Sequence, residues 1–289
     1  MSEFVKSKNM EVFSMKFGQF RNFFVVFVIF VLVFSLTALA EGKSTLDKVL
    51  DEGVLKVGIM LDFPPCGYYD DNGNPAGYEV DLAKRIAEML EVELEILETP
   101  GPSRIPALLA GKVDVVFGSL AITPKRAVAV AFSRPYIGNS QWIITKQDSG
   151  IDEFDDIAGK KIATIRGTTP ESNLMEIVEK WENAPEIISY ASNADALLAL
   201  RQGKADALAE AKIWFESQVN ANFPDQFKIV GPAFYKEFCG AAVRRDDQEF
   251  LNWLNTALWT MTVLTQEMNN LNKKYYGISL DEEVFWGLN

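Results

Sequence analysis

Apolar and polar positions follow two alternating rhythms from about residue 54 onward. "VLKVGIM" (54–60) and "VDVVFG" (113–118) are apolar runs of strand length, and "VELEIL" (92–97) alternates residue by residue. Between them the period lengthens. Val80, Ala83, Ala87 and Leu90, flanked by Leu82 and Ile86, mark one face of a helix. "SRIPALLAGK" (103–112) predicts a short helix, with Ser103 as candidate N-cap and Pro106 in its first turn. Asp71, Asn72, Gly73 and Asn74 predict a turn between two aromatic, strand-like pieces. Strand, helix, strand, helix, strand is the grammar of an α/β domain with a largely parallel sheet.

The pattern then starts again. Strands are predicted at "WIITK" (142–146), 162–165, "EIISY" (186–190) and "ADALA" (205–209), with helices from Pro170 and over 193–204. "ALLALRQGKADALAE" (196–210) echoes "ALLAGKVDVVFGS" (107–119): each sets a helix, a Gly-Lys pair and a buried strand in series. The echo predicts two similarly built lobes. Near the end a strand leads into an amphipathic helix whose Phe250, Leu254, Leu258 and Met261 recur at helical spacing, a stripe that reads as core.

The first 40 residues differ. Residues 23–34 are an unbroken apolar run, preceded by Lys16 and Arg21 and followed by "SLTALA", where Ala38 and Ala40 suit a small-x-small cleavage site. This predicts a signal peptide over residues 1–40, cleaved near Ala40, and a periplasmic mature protein. The run is short of the roughly 20 residues of a membrane-spanning helix; an uncleaved anchor is the alternative. Starting at Met15 would give a leader of more ordinary length. No cysteine stands at the cleavage point, so no lipid anchor is expected.

Composition then narrows the chemistry. Residues 1–40 hold four basic and two acidic side chains, so losing them takes the net charge from -12 to -14. Such acidity argues against nucleic acid and anionic membrane surfaces as partners. The chain has no histidine, which removes Ser-His-Asp and Cys-His mechanisms and histidine-ligated metals. Only Cys66 and Cys239 carry thiols, so a thiolate zinc site is excluded as well. After export they form either a disulfide or two buried free thiols. No metal or cofactor is expected.

Candidate binding groups gather at predicted strand ends, where ligands of open α/β sheets sit. In "GSLAITPKR" (118–126), Thr123 predicts a cap and Pro124 a first helical position. Arg126 is then either a surface charge or, with the backbone around residues 120–122, a carboxylate clamp through its planar fork. "IRGTTPES" (165–172) predicts a second anion-friendly turn, capped by Thr168 or Thr169. Arg104 is a third basic candidate. Phe63, Tyr68 and Tyr69 follow the first strand and either stack on a ligand or pack. Asp62, Glu79, Asp81 and Glu210 are candidate acids, with Glu210 expected directly after its strand.

Taken together, "GYYDDNGNPAGYEVDLAKRIAEML", "RIPALLAGKVDVVFGSLAITPKRAVAVAFSRPY", "GKKIATIRGTT" and "ALLALRQGKADAL" resemble the periplasmic solute-binding proteins of polar amino-acid ABC importers, bacterial extracellular solute-binding family 3. The resemblance spans about residues 54–276. It implies an α/β, two-lobed periplasmic-binding-protein fold of type II, the Venus flytrap, with two hinge strands. Lobe 1 would hold residues 41–138 and 235–289, and lobe 2 residues 139–234. Cys66 and Cys239 would share lobe 1, which makes a bridge easier. The resemblance further implies that Arg126 grips a ligand carboxylate, helped by backbone groups of Ser119 and Ala121. Thr168 and Thr169 would close from the other lobe, Phe63 would line the pocket, and Arg104 would face the side chain of an acidic amino acid. Where the family ends its "DA" strand with an acid for the ligand amine, this chain has Ala211. Either Glu210 takes that role or the ligand lacks an α-amino group. The family's acid before "FS.PY" is Ala131 here, and its Asp after the first strand is absent, with Met60 nearest. The expected protein is a monomeric, non-enzymatic receptor that captures an amino acid or related carboxylate and delivers it to a membrane permease. The alternative is a secreted enzyme on the same fold, such as a dehydratase acting on a carboxylate.

Overall fold

The structure, a computed structural model, describes residues 44–277. The expected signal peptide lies outside the described residues. The chain enters at α1 (Thr45–Glu52), capped by the Ser44 hydroxyl, which accepts the Leu46 N–H. It continues through β1 (Val54–Ile59), the short strands β2 (Asp62–Phe63), β3 (Gly67–Tyr69) and β4 (Pro75–Ala76), α2 (Tyr78–Leu90), β5 (Glu93–Glu98), α3 (Arg104–Leu109), β6 (Val115–Val116) and α4 (Pro124–Ala127). The long strand β7 (Val130–Lys146) then leads to β8 (Lys161–Ile165), α5 (Thr169–Val178), β9 (Glu186–Tyr190), α6 (Asn193–Arg201), β10 (Ala207–Ala211) and α7 (Lys212–Trp214). A second long strand, β11 (Phe227–Arg244), precedes α8 (Gln248–Trp259) and α9 (Glu267–Tyr276).

Eight strands form one sheet in the order β5-β1-β6-β11-β7-β10-β8-β9. β1 runs parallel to β5 and β6, and β8 parallel to β9 and β10. These two parallel trios belong to two lobes, and the antiparallel pair β7 and β11 joins them. β11 meets β6 through Ala242 and Val116, whereas β7 meets β10 from Gln141 to Thr145. The described residues thus form a two-lobed α/β protein, as the echo predicted, with the two connecting strands that the resemblance implied.

The echo between the lobes has a physical basis. The Asp114 N–H donates to the Lys56 carbonyl at 2.7 Å, and Asp114 Oδ2 accepts the Lys56 N–H at 3.0 Å. In the other lobe Asp206 does the same to Lys161, at 2.7 and 2.8 Å. In each lobe one aspartate after a Gly-Lys turn pins the returning chain to the start of the central strand. The stripe of Phe250, Leu254 and Leu258 on α8 and Met261 in the π-helical turn after it is buried, as its spacing predicted.

Two elements differ from expectation. The strand predicted at 205–209 runs Ala207–Ala211, because its pairing with β7 continues to Gln141. Glu210 therefore lies within β10 rather than after it. β7 begins at Val130, well before the predicted residue 142. Pro135 is accommodated where the register with β11 slips around Gly240, and there the Ser133 hydroxyl accepts the Ala241 N–H at 2.9 Å in place of a ladder bond.

Candidate ligand cleft

The carboxyl end of β6 turns sharply through Gly118 (φ +37°) and Ser119 (φ +45°). Arg104, 3 % exposed at the start of α3, fills this turn. Its Nε donates to the Gly101 carbonyl at 3.1 Å, and its Nη1 reaches the carbonyls of Gly118 at 2.6 Å and Ser119 at 3.4 Å. Ser103 does not cap α3; its hydroxyl donates to the Pro100 carbonyl instead.

Three residues beyond Ala121, α4 opens as the sequence predicted. The Thr123 hydroxyl accepts the Arg126 N–H at 3.2 Å, and Pro124 takes the first turn. Arg126 is no free surface charge. Its Nη1 donates to the Ala121 carbonyl at 2.9 Å, and its Nη2 crosses to the other lobe, to the Gly167 carbonyl at 3.0 Å. Burial, with the neighbouring positive charge of Arg104, lowers its pKa to about 10, so it stays protonated at neutral pH.

The facing turn is built by Gly167 (φ +75°), whose N–H donates to Glu171 Oε2 at 2.7 Å. Neither threonine hydroxyl caps α5. Thr168 Oγ1 donates to the Ile165 carbonyl at 2.6 Å, and Thr169 hydrogen-bonds Glu237. Glu237 sits on β11 where that strand passes between the lobes. It accepts from Gln141 Nε2 at 2.7 Å, and Gln141 Oε1 accepts from Asn173 Nδ2 at 3.1 Å. Burial raises the Glu237 pKa; Thr169, Arg126 and Gln141 oppose the rise.

Glu210 on β10 is 4 % exposed, and its Oε1 accepts its neighbour Ala211's N–H at 2.8 Å. Burial lifts its pKa to about 8, opposed by the Ala211 bond and by Arg104 and reinforced by the charges of Glu237 and Asp62. Asp62 Oδ2 accepts the Asn193 N–H of the other lobe at 3.3 Å, and the Pro64 carbonyl accepts from Ser217 Oγ at 2.6 Å. Buried Phe63 thus stands between two residues that both touch the opposite lobe.

The sequence candidates Arg104, Ser119, Ala121, Arg126, Thr169 and Glu210 converge on one interlobe region. Asp81 does not join them: it pairs with Lys274 and the Tyr275 hydroxyl, each at 2.6 Å. Tyr69 is half exposed and donates to Glu98. Glu237, Gln141 and Asn173 escaped the sequence reading; "YKEFCG" offers no alternation or cap to mark its glutamate. The cysteines are both free and buried, so the bridge held open from the sequence is not formed. Cys66 Sγ lies 3.3 Å from the Tyr276 hydroxyl, and burial, reinforced by Glu79, lifts its pKa to about 12. Cys239 is locked in β11 opposite Ile137. Both act as small apolar groups.

A two-lobed α/β molecule with two connecting strands, whose lobes meet over buried arginines and carboxyls, has the architecture of a solute-binding protein of the periplasmic type. Residues 55–278 match the bacterial extracellular solute-binding proteins, family 3, and the chain belongs to that family. It is 29% identical over 234 residues to ABC transporter arginine-binding protein 1 of Escherichia coli (strain K12), covering 79% of this chain and 90% of that protein. Among solved structures, holo ArgBP from T. maritima superposes with a TM-score of 0.70 at 34% identity, covering 80% of this chain and 99% of that one. An ancestral amino acid-binding protein, described as a precursor of cyclohexadienyl dehydratase, gives a TM-score of 0.72 at 34% identity, covering 81% of this chain and all, 100%, of that one.

Proposed function

We propose that this receptor captures a free L-amino acid with a cationic or hydrogen-bond-donating side chain in the periplasm and delivers it to the permease of an ABC importer. The observation that carries the reading is the polarity of the cleft. Arg126 offers a planar fork to the α-carboxylate, supported by the backbone of Ser119 and Ala121 and by the turn of Thr168 and Thr169. Glu210 takes the α-ammonium in place of the family acid that Ala211 replaces. Glu237 and Asp62 then remain near the side chain, where a ligand carboxylate would be repelled. Arg104 offsets them only in part: its charge opposes the raised pKa of Glu210 and Glu237, yet burial still leaves both raised. The acidic amino acid implied by the "RIP" arginine is therefore the less favoured ligand. Phe63 packs at the lobe junction beside the site.

The lobes in this reading are residues 41–138 with 235–289, and residues 139–234, turning about the middle of β7 and β11. A ligand that touches both lobes favours the closed form, and the permease reads that form.

Thermal-shift and calorimetric titration against the proteinogenic amino acids, ornithine and simple organic acids tests this, since a tight ligand raises the melting temperature by mass action. Hits among arginine, lysine, ornithine or glutamine support it. Hits confined to glutamate, aspartate or amine-free acids overturn it. A second reading, an enzyme acting on a carboxylate, draws on one observation: a buried cleft carboxyl, Glu210, with a pKa of about 8 is suited to proton transfer near neutrality. Turnover of a bound carboxylate, followed by NMR, would favour it.

A further inference from the structure

Glu79 is a buried carboxyl that the cleft does not use directly. It lies in the first turn of α2, and its Oε1 gathers three donors: the Ser119 N–H at 2.5 Å, the Ser119 hydroxyl at 3.0 Å and the Tyr136 hydroxyl. The same tyrosine hydroxyl lies 2.8 Å from the Phe117 carbonyl. Glu79 Oε2 is buried with no hydrogen-bond partner. Burying a carboxyl so incompletely satisfied is costly, and helix packing alone would be served by an apolar side chain.

What Glu79 holds is unusual backbone. Ser119 has φ +45°, a left-handed value uncommon for a residue other than glycine. The peptide joining Gly118 to Ser119 lies between opposite charges: its carbonyl accepts from Arg104 Nη1 at 2.6 Å, and its N–H donates to Glu79. A peptide dipole strung between a guanidinium and a carboxyl is fixed in rotation. The next residues lead directly to Ala121, whose carbonyl accepts from Arg126.

We propose that Glu79 is a positioning residue of the ligand site: with Arg104 it locks the peptide between Gly118 and Ser119, and so aims the backbone of Ser119 and Ala121 and, through Ala121, Arg126. This rests on the ligand-binding reading above. Glu79 touches no ligand; its effect passes through residue 119.

A double-mutant cycle separates this from a packing role. In the wild-type background Glu79→Gln should weaken binding of the amino-acid probe about tenfold, the size expected for losing a charge-assisted hydrogen bond. In a Ser119→Gly background, where the left-handed turn costs little, the same change should weaken it by about threefold or less. The probes are L-arginine, L-glutamine and L-glutamate. A second readout needs no ligand: hydrogen exchange by NMR on the empty protein should show the Ser119 amide exchanging at least about tenfold faster in Glu79→Gln, with the amides at the C-terminal end of α2 unchanged. Glu79→Asp, which withdraws the carboxyl by one methylene, should show the same pattern and serves if Glu79→Gln does not fold. Equal affinity losses in both backgrounds, or unchanged exchange at Ser119, would overturn the proposal. Binding of none of the three probes by the wild type would instead count against the receptor reading, and the exchange measurement would still decide the role of Glu79.

Discussion

If Glu210 holds the ligand's α-ammonium, as proposed, binding should depend on pH. Its carboxyl is buried at the lobe junction, with Glu237 and Asp62 raising its pKa and Arg104 and the Ala211 N–H lowering it; the outcome is about 8. An α-ammonium pairs with the ionised form, so a ligand must meet or create a carboxylate there. With a pKa of about 8, roughly one empty receptor in a hundred is ionised at pH 6 and about one in two at pH 8. The dissociation constant should therefore fall about fifty-fold between pH 6 and pH 8. At pH 7 about nine-tenths of a proton should leave per ligand bound. Calorimetry in two buffers of different ionisation enthalpy reads that proton directly. Arg126 stays charged throughout this range, so it adds no slope. The empty protein carries the matching sign. A carboxyl raised above its unfolded value of about 4.3 holds extra protons in the folded state from about pH 4 to pH 8, so stability declines as pH rises through that window, by at most about 5 kcal/mol. Glu210→Gln should flatten both profiles and weaken binding at pH 8 about tenfold. A wild-type dissociation constant that moves less than about threefold between pH 6 and pH 8, with no proton released, would refute the reasoning.

Arg126→Ala should weaken amino-acid binding by at least about 3 kcal/mol, roughly a hundredfold, because the proposed charge-assisted pair with the ligand carboxylate and the bridge to the Gly167 carbonyl would be lost together; titration calorimetry checks it, and Arg126→Lys should recover only part. The free thiols give a simple assay. A thiol reagent should modify neither cysteine in the native protein and both after denaturation without reductant, and reductant should leave the melting temperature unchanged.

Most of the architecture was legible because local signals and tertiary packing agree. The duplicated Gly-Lys turn and aspartate in "AGKVDVV" and "QGKADAL" gave away the two lobes, since each aspartate repeats one backbone-pinning job. Thr123, Pro124 and Arg126 were legible because a strand end, a cap and a proline each carry their own sign. The first half of β7 was not: Pro135 and Gly138 are strand breakers locally, and only the partner β11 makes that ribbon extended. Glu210 was displaced by two residues for the same reason, since β7 and not the composition of "ADALAEA" decides where β10 stops. Glu237, Gln141 and Asn173 lie on three different elements and meet only when the connecting strands are placed. No pattern within one segment encodes that meeting. The two cysteines show the converse limit, since export permits a bridge but only geometry forms one.

The lobes also touch each other directly, and this sets how affinity is divided between contact and closure. Arg126 to the Gly167 carbonyl, the Asn193 N–H to Asp62 and Ser217 to the Pro64 carbonyl are direct bonds across the junction. Observed affinity is the closed-state affinity scaled by the fraction of empty molecules that are closed. A bond made only on closing therefore adds to affinity although it never meets the ligand. Ser217 offers the test, because it lies on the π-helical turn after α7 and its hydroxyl lies 2.6 Å from the Pro64 carbonyl of the other lobe, with the Ile213 carbonyl of its own helix 2.8 Å away as the acceptor it keeps when the lobes part. If the empty protein is mainly open, Ser217→Ala removes about 1 kcal/mol from the closed state and should weaken binding about fivefold. Small-angle scattering on the empty variant should show the more open form, and the ligand-saturated form should match the wild type. An unchanged dissociation constant in a protein that scattering shows to be open when empty would mean that this contact persists in both states.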